Sequence, residues 1–193
     1  MNVFARLDHA AGSGRPLPIG SLTILPIRPV DSDDLEDIVE MLQAKEIRTE
    51  LKRPILRPRD AYDAQRRQLR AEVLIERARS RAERPILAVT DADCYAGDLN
   101  FVFGMADVGE EVAFVSLHRL RVGATVDLFR RRVAKEIIHE LGHALGLRHC
   151  RDSRCVMHFS NSLAQTDAKS EQVCRACLRR LTSSMRRHGS GRA

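Results

Sequence analysis

The chain has 193 residues, with 32 Lys and Arg against 26 Asp and Glu and a net charge of +6. That length suits one domain with a self-sufficient core, and no apolar run approaches the roughly 20 residues a membrane-spanning helix needs. Five cysteines follow a start that lacks the apolar centre of a secretory signal, which points to the cytosol and to metal ligation rather than a disulfide framework. Arginine dominates the basic residues, as in "RRQLRAEVLIERARSRAER" and "DLFRRRVAK", but acids interleave with it. These stretches read as solvated helix faces, so nucleic acid is not an expected partner.

In chain order, residues 1–20 read as a flexible leader, polar and punctuated by Gly and Pro. "SLTILPIRPV" alternates Leu22, Ile24 and Pro26 with smaller or polar residues and predicts a strand running into the helix starters Asp31, Ser32 and Asp33. Leu35, Ile38, Val39 and Leu42 share one face of the helix that follows, with acids at its start where the helix dipole favours them. A short strand around "IRTELK" comes next. The Pro-rich loop "RPILRPRD" then leads into a long amphipathic helix from about Ala61 to Ala82, with Leu69, Val73, Leu74 and Ala78 on its buried side.

Two apolar runs, Ile86 to Thr90 and Leu99 to Phe103, are separated by turn residues including Gly97 and Asp98. "EEVAFVSLHRL" adds a strand that reads either as a sheet edge open to an extended peptide or as an internal strand, with His118 simply exposed. A helix starting near Thr125 and Asp127 continues into "HELGHALGLRHC", and a last helix from about Asp167 carries "CRAC" before the tail 188–193. The fold class is therefore α/β (α+β): one compact domain over 21–187 with a mixed twisted sheet and flanking helices. Its upper part, 21–146, holds the sheet and the helix that runs into "HELGHALG", and its lower part, 147–187, holds the four clustered cysteines and Met157.

The chemistry concentrates in "HELGHALGLRHC". His139 and His143 are four residues apart, so on a helix their imidazoles share one face and can grip a zinc ion at about 2.0–2.1 Å. Glu140 is rotated away from that face, placed to deprotonate a zinc-bound water rather than to ligate. Gly146 offers the left-handed backbone that ends the helix, after which His149 can swing back as third ligand. Three protein ligands leave one position open to water, the mark of a catalytic rather than a structural site.

Cys150, Cys155, Cys174 and Cys177 form two close pairs joined by a loop, the arrangement of a four-cysteine structural zinc site with Zn–S near about 2.3 Å. Disulfides or reduced buried thiols are the rival readings. Cys94 stands apart and reads as an ordinary buried thiol.

Together "HELGHALGLRHC", "CVM" and "CRAC" resemble the archaemetzincins, metzincin-type zinc metalloproteases with an added four-cysteine zinc site. The resemblance is strong over 139–177 and weaker in "TDADCYAGDLNFVFGMAD". It implies His139, His143 and His149 as catalytic zinc ligands, Glu140 as base, the four cysteines as ligands of a second zinc, and Met157 as the methionine turn beneath the first. No Tyr follows Met157, so a phenolic ligand or oxyanion donor does not carry over; Tyr62 and Tyr95 are the only tyrosines. In "HFSNSLAQ", Phe159 and Asn161 either line the pocket beside the scissile bond or belong to a loop bridging the cysteine pairs.

The expected function is a metallopeptidase acting on peptide or protein substrates, with two zinc ions per chain. The alternative is a latent or non-catalytic zinc-stabilised protein that binds peptides or nucleic acid.

Overall fold

The computed structural model describes residues 17–189, with side chains through 183. Five strands form the main sheet: β1 (Ser21–Pro26), β2 (Arg48–Leu51), β5 (Ile86–Thr90), β7 (Gly104–Asp107) and β8 (Val112–Ser116), in the order β2-β1-β5-β8-β7. The first four in that order run parallel, and β7 closes the edge antiparallel to β8. A small second sheet joins β3 (Tyr62–Asp63), β4 (Gln68–Arg70) and β6 (Cys94–Tyr95).

The strand pleat sorts the core into two layers. Leu22, Ile24, Leu87, Val89, Ala113 and Val115 face one way, into a cluster completed by α1 (Ser32–Ala44) and α3 (Val126–Ala144). Leu25, Ile86, Ala88, Val112 and Phe114 face the other way, onto α2 (Ala71–Arg79). Alternate residues pointing to opposite faces, both covered by helices, explain why these strands are apolar throughout. Two further helices, α4 (Leu163–Ala168) and α5 (Arg175–Gly189), complete an α/β domain. No helix among the described residues is long and apolar enough to cross a membrane.

Several expectations need correction. The helix expected over 61–82 begins only at Ala71. Before it, the Asp63 carboxylate accepts from the amides of Gln65 (2.9 Å) and Arg66 (3.0 Å), and Arg67 takes a positive φ of 57°. That turn ends any helix and sends Leu69 into β4, paired with Tyr62 and Cys94. The run Leu99 to Phe103 is loop leading into β7, and "VAFVS" is internal, between β5 and β7, rather than an edge.

The last helix is two helices. Asp167 lies near the end of α4, Lys169 is extended (φ −79°, ψ 158°), and α5 starts only after Cys174. In the expected leader, Leu17 and Ile19 are buried in the core, while residues 1–16 and 190–193 lie outside the described residues.

Candidate metal centre and active site

Helix α3 starts where the Thr125 hydroxyl accepts from the Leu128 amide (3.3 Å), and it carries His139, Glu140 and His143 in its last turns. Its end is closed twice. Gly146, at φ +93°, lets its own amide reach the His143 carbonyl (2.8 Å) and the Leu147 amide reach that of Gly142 (2.9 Å). The β7–β8 turn adds the Gly109 and Glu111 amides, which donate to the carbonyls of His143 (3.2 Å) and Ala144 (3.0 Å). The helix end that bears the histidines is thereby fixed to the sheet edge.

His139 Nδ1 faces the Val156 carbonyl at 2.8 Å and His143 Nδ1 faces that of Leu147 at 2.6 Å. A carbonyl accepts only, so in both rings Nδ1 carries the proton and Nε2 keeps its lone pair for a ligand. The two Nε2 atoms stand 3.2 Å apart, and those lone pairs converge. A tetrahedral zinc with bonds of about 2.0–2.1 Å separates its nitrogens by about 3.3 Å. The His149 ring lies 5.5 Å from that of His139 and 4.7 Å from that of His143, and one ring nitrogen from each histidine falls within 4.8 Å of the others. The donor set fits zinc. Burial drives His139 down to about 2 and lowers His143 and His149 as well, so all three are neutral, the form that ligates.

Glu140 is buried one residue along. Burial first, then the charge and hydrogen bond of Glu136 one turn earlier, hold its carboxyl well above the usual value. Glu136 is raised by burial too, and the buried Lys169 ammonium supplies the nearby positive charge. On its other side Glu140 meets β7: a Cβ added to Gly104 would sit 2.6 Å from Glu140 Cγ and 2.9 Å from Oε1. Gly104 therefore makes the slot in which the carboxylate lies.

Met157 is fully buried and packs on Gly142, where an added Cβ would come within 3.0 Å of the methyl carbon Cε. Its carbonyl accepts from the Cys150 amide (2.9 Å), and the Cys150 carbonyl in turn accepts from His158 Nδ1 (2.9 Å). Cys150, Cys155, Cys174 and Cys177 bring four sulfurs within 4.8 Å of one another. The Cys150–Cys174 sulfur distance is 3.8 Å, against about 2.05 Å for a disulfide and about 3.8 Å across a tetrahedral zinc with 2.3 Å bonds. The cysteines are thiols, and their spacing fits zinc.

Burial pushes Cys155 up to about 11 and raises Cys177 further. Burial also opposes the Cys174 thiolate, but hydrogen bonds from the Cys177 amide and the neighbouring thiols outweigh it and lower that thiol. A divalent cation among them reverses the cost of ionising all four.

Phe159 is half exposed with its ring 5.1 Å from His149, beside the trio, while the Asn161 amide is tied to Gln165 (2.9 Å). His118 is exposed, Cys94 is buried in β6, and neither belongs to the site. Tyr95 donates to Asp63 (3.1 Å), and Tyr62 lies under Arg57 with 4.7 Å from guanidinium to ring centroid; both serve the small sheet. Sequence reasoning missed Glu136, Gly104, Gly142 and Lys169. Of these only Glu136 carried a sequence signal, four residues before Glu140 on the same helix face.

Residues 62–183 match the family model described as Peptidase family M54. An archaemetzincin from Pyrococcus furiosus is 38% identical over 175 residues, spanning 83% of this chain and 91% of that protein. The crystal structure of archaemetzincin from Methanopyrus kandleri superposes with a TM-score of 0.80 at 32% identity, covering 87% of this chain and 96% of that one. The Archaeoglobus fulgidus archaemetzincin, solved complexed with malonate, gives 0.75 at 34% identity, covering 82% and 98%. With the M54 match spanning both clusters and the archaemetzincin fold reproduced around them, the chain belongs to peptidase family M54 and is a zinc metallopeptidase.

Proposed function

We propose that this chain hydrolyses peptide bonds in the manner of the metzincins. His139, His143 and His149 hold the catalytic zinc, Glu140 acts as general base, and Cys150, Cys155, Cys174 and Cys177 hold a second, structural zinc. The observation that carries this reading is the pair of converging Nε2 atoms 3.2 Å apart with a buried carboxylate on the next residue. A zinc ion in the trio would supply the charge that polarises a substrate carbonyl and brings the pKa of water down to about 7.

Glu140 takes the proton from the attacking water and delivers it to the departing amine. Glu140 must be ionised to accept that proton: burial and Glu136 oppose its charge, and the buried Lys169 ammonium favours it. Gly104 and α3 fix where the carboxylate lies, so proton transfer needs no rearrangement.

The outer edge of β7 pairs with no strand among the described residues, so an extended peptide can add there through its backbone. Phe159 stands at the mouth as an apolar wall, and Met157 packs beneath the histidine-bearing helix without ligating. We assign the upper part of the domain to 21–146 and the lower part, with the methionine turn and the cysteines, to 147–187. Four closely spaced free thiols suit a reducing, cytoplasmic location.

Glu140→Gln tests the mechanism. The variant should keep two zinc ions per chain by elemental analysis and lose peptide hydrolysis by about 10²–10⁴-fold. Equal turnover by both proteins would remove Glu140 from the mechanism. No turnover by either, with peptide still bound, would leave a zinc-stabilised binding protein.

A further inference from the structure

Positive charge is divided very unevenly along the chain. Residues 1–147 hold 22 Lys and Arg against 23 Asp and Glu, whereas residues 148–193 hold 10 against 3. The later segment thus carries +7 and the rest of the chain −1. Its three acids cannot balance it locally, because two are taken by cations from outside. Asp167 pairs with Arg132 on α3 (2.7 Å), and Glu171 pairs with Lys45 just past α1 (3.6 Å). Only Asp152 remains, 3.7 Å from Arg154.

Arg148, Arg151, Arg154, Arg175, Arg179 and Arg180 are all exposed, and apart from Arg154 none forms an ion pair among the described residues. These six exposed arginines lie in the segment that carries His149 and the four cysteines. Arg148 directly precedes His149, and Arg151 directly follows Cys150. Adjacent Cα atoms are about 3.8 Å apart, so the Arg148 backbone sits beside that of His149, and its charge is carried by the segment that brings the third histidine to the trio. A field of one sign bordering a cleft concentrates ligands of the opposite sign.

We infer that the substrates are polypeptides rich in Asp and Glu, drawn to the cleft by the arginines of residues 148–180. This rests on the hydrolase reading given above and names the class of polymer it cuts. The edge of β7 engages a backbone regardless of sequence, and the arginines select the side chains that flank it. A nucleic acid fits the same charge less well. Single-stranded nucleic acids are held by stacking platforms as well as by charge, and Phe159 is the only Phe, Tyr or Trp from residue 148 onward.

The test uses the full zinc-loaded chain and two peptides of identical central sequence, one flanked by four Glu and one by four Gln. At about 20 mM salt, kcat/KM for the Glu peptide should be roughly tenfold higher, through KM, and the advantage should vanish near 500 mM. In an Arg148→Gln/Arg151→Gln/Arg175→Gln variant that keeps its zinc and its melting temperature, the preference should fall toward unity. Equal kcat/KM for both peptides at low salt overturns the inference, as does a preference that survives in the variant.

Anisotropy with the Glu140→Gln protein separates this inference from the hydrolase reading. Tighter binding of the Glu peptide supports it even if wild type cuts neither. Retention of a single-stranded oligonucleotide with no discrimination between the peptides sinks it in favour of nucleic acid.

Discussion

Two of the three histidines ride a 19-residue helix whose end is held by the Gly146 turn and by amides from the β7–β8 turn. Of the four cysteines only Cys177 lies within a helix. Cys174 immediately precedes α5, and Cys150 and Cys155 sit in irregular chain held by local hydrogen bonds such as Cys150 amide to Met157 carbonyl and Cys155 amide to Asp152 carbonyl. The His139 and His143 nitrogens converge because helix and sheet packing put them there, so on the proposed reading a metal in that site would serve chemistry rather than the fold. The cysteine sulfurs come from two stretches on either side of α4, so on the proposed reading a metal there would cross-link the fold. The two are joined by one short stretch, since Val156, whose carbonyl orients His139, lies between Cys155 and Met157.

The contrast is tested most severely by Cys155→Ser against His143→Ala. A structural zinc contributes about 10 kcal/mol or more of metal-linked folding free energy in small zinc modules, whereas a helix-borne ligand leaves its helix standing. Cys155→Ser should lower the melting temperature by more than about 10 °C and, through Val156, weaken zinc binding at the histidines. His143→Ala should abolish hydrolysis with a far smaller shift. Calorimetry with metal analysis reads both, and equal shifts would refute the division of roles.

Gly104→Ala probes the sheet side of the rigid site. The new methyl would meet both Glu140 Cγ at 2.6 Å and the Phe114 carbonyl oxygen at 2.8 Å, so carboxylate or strand must give way. Overpacking of this kind costs about 1–3 kcal/mol, and a catalytic group displaced by about 1 Å loses on the order of 10²-fold in rate. The expected signature is a fall in kcat with zinc content intact, and normal kcat would show that Glu140 tolerates a different slot.

What the sequence made legible follows the same line between local and non-local determinants. The spacing of His139, His143 and His149 is local, because helical periodicity and a glycine with positive φ suffice to bring the three rings together; each cysteine pair is likewise close in sequence, but the meeting of the two pairs is not. The parallel strands around Leu22, Ile86 and Val112 were readable from apolar runs, though not their order, which left the edge assigned ambiguously until β7 took it.

The false continuation of α2 back to Ala61 arose because Leu69 also fits a helical face. Asp63 and the left-handed Arg67 override that periodicity, and neither residue announces itself as a breaker in the way Gly or Pro does. Gly104, Gly142 and Lys169 act across the fold, on partners 36, 15 and 33 residues away at Glu140, Met157 and Glu136, where no pattern along the chain reaches.

A smaller effect is expected at the joint between the two regions. Arg132 on α3 grips Asp167 of α4 through two hydrogen bonds of 2.7 Å, and Lys135 donates to the Thr166 (3.1 Å) and Asp167 (2.9 Å) carbonyls. The Arg132 bonds hold the Asp167 carboxyl below its ordinary 3.8 despite the opposing effect of burial, so the folded chain prefers its ionised form. That stabilisation is complete above the unfolded value near 3.8 and drains away as pH falls through the lower folded value. Asp167→Asn should therefore cost about 1–3 kcal/mol near neutral pH, and its difference from wild type should shrink below about pH 4. A stability difference that stays constant from pH 7 to pH 2 would mean that the carboxylate's charge contributes nothing. The attachment of α4 to the active-site helix would then rest on Lys135 and apolar packing alone.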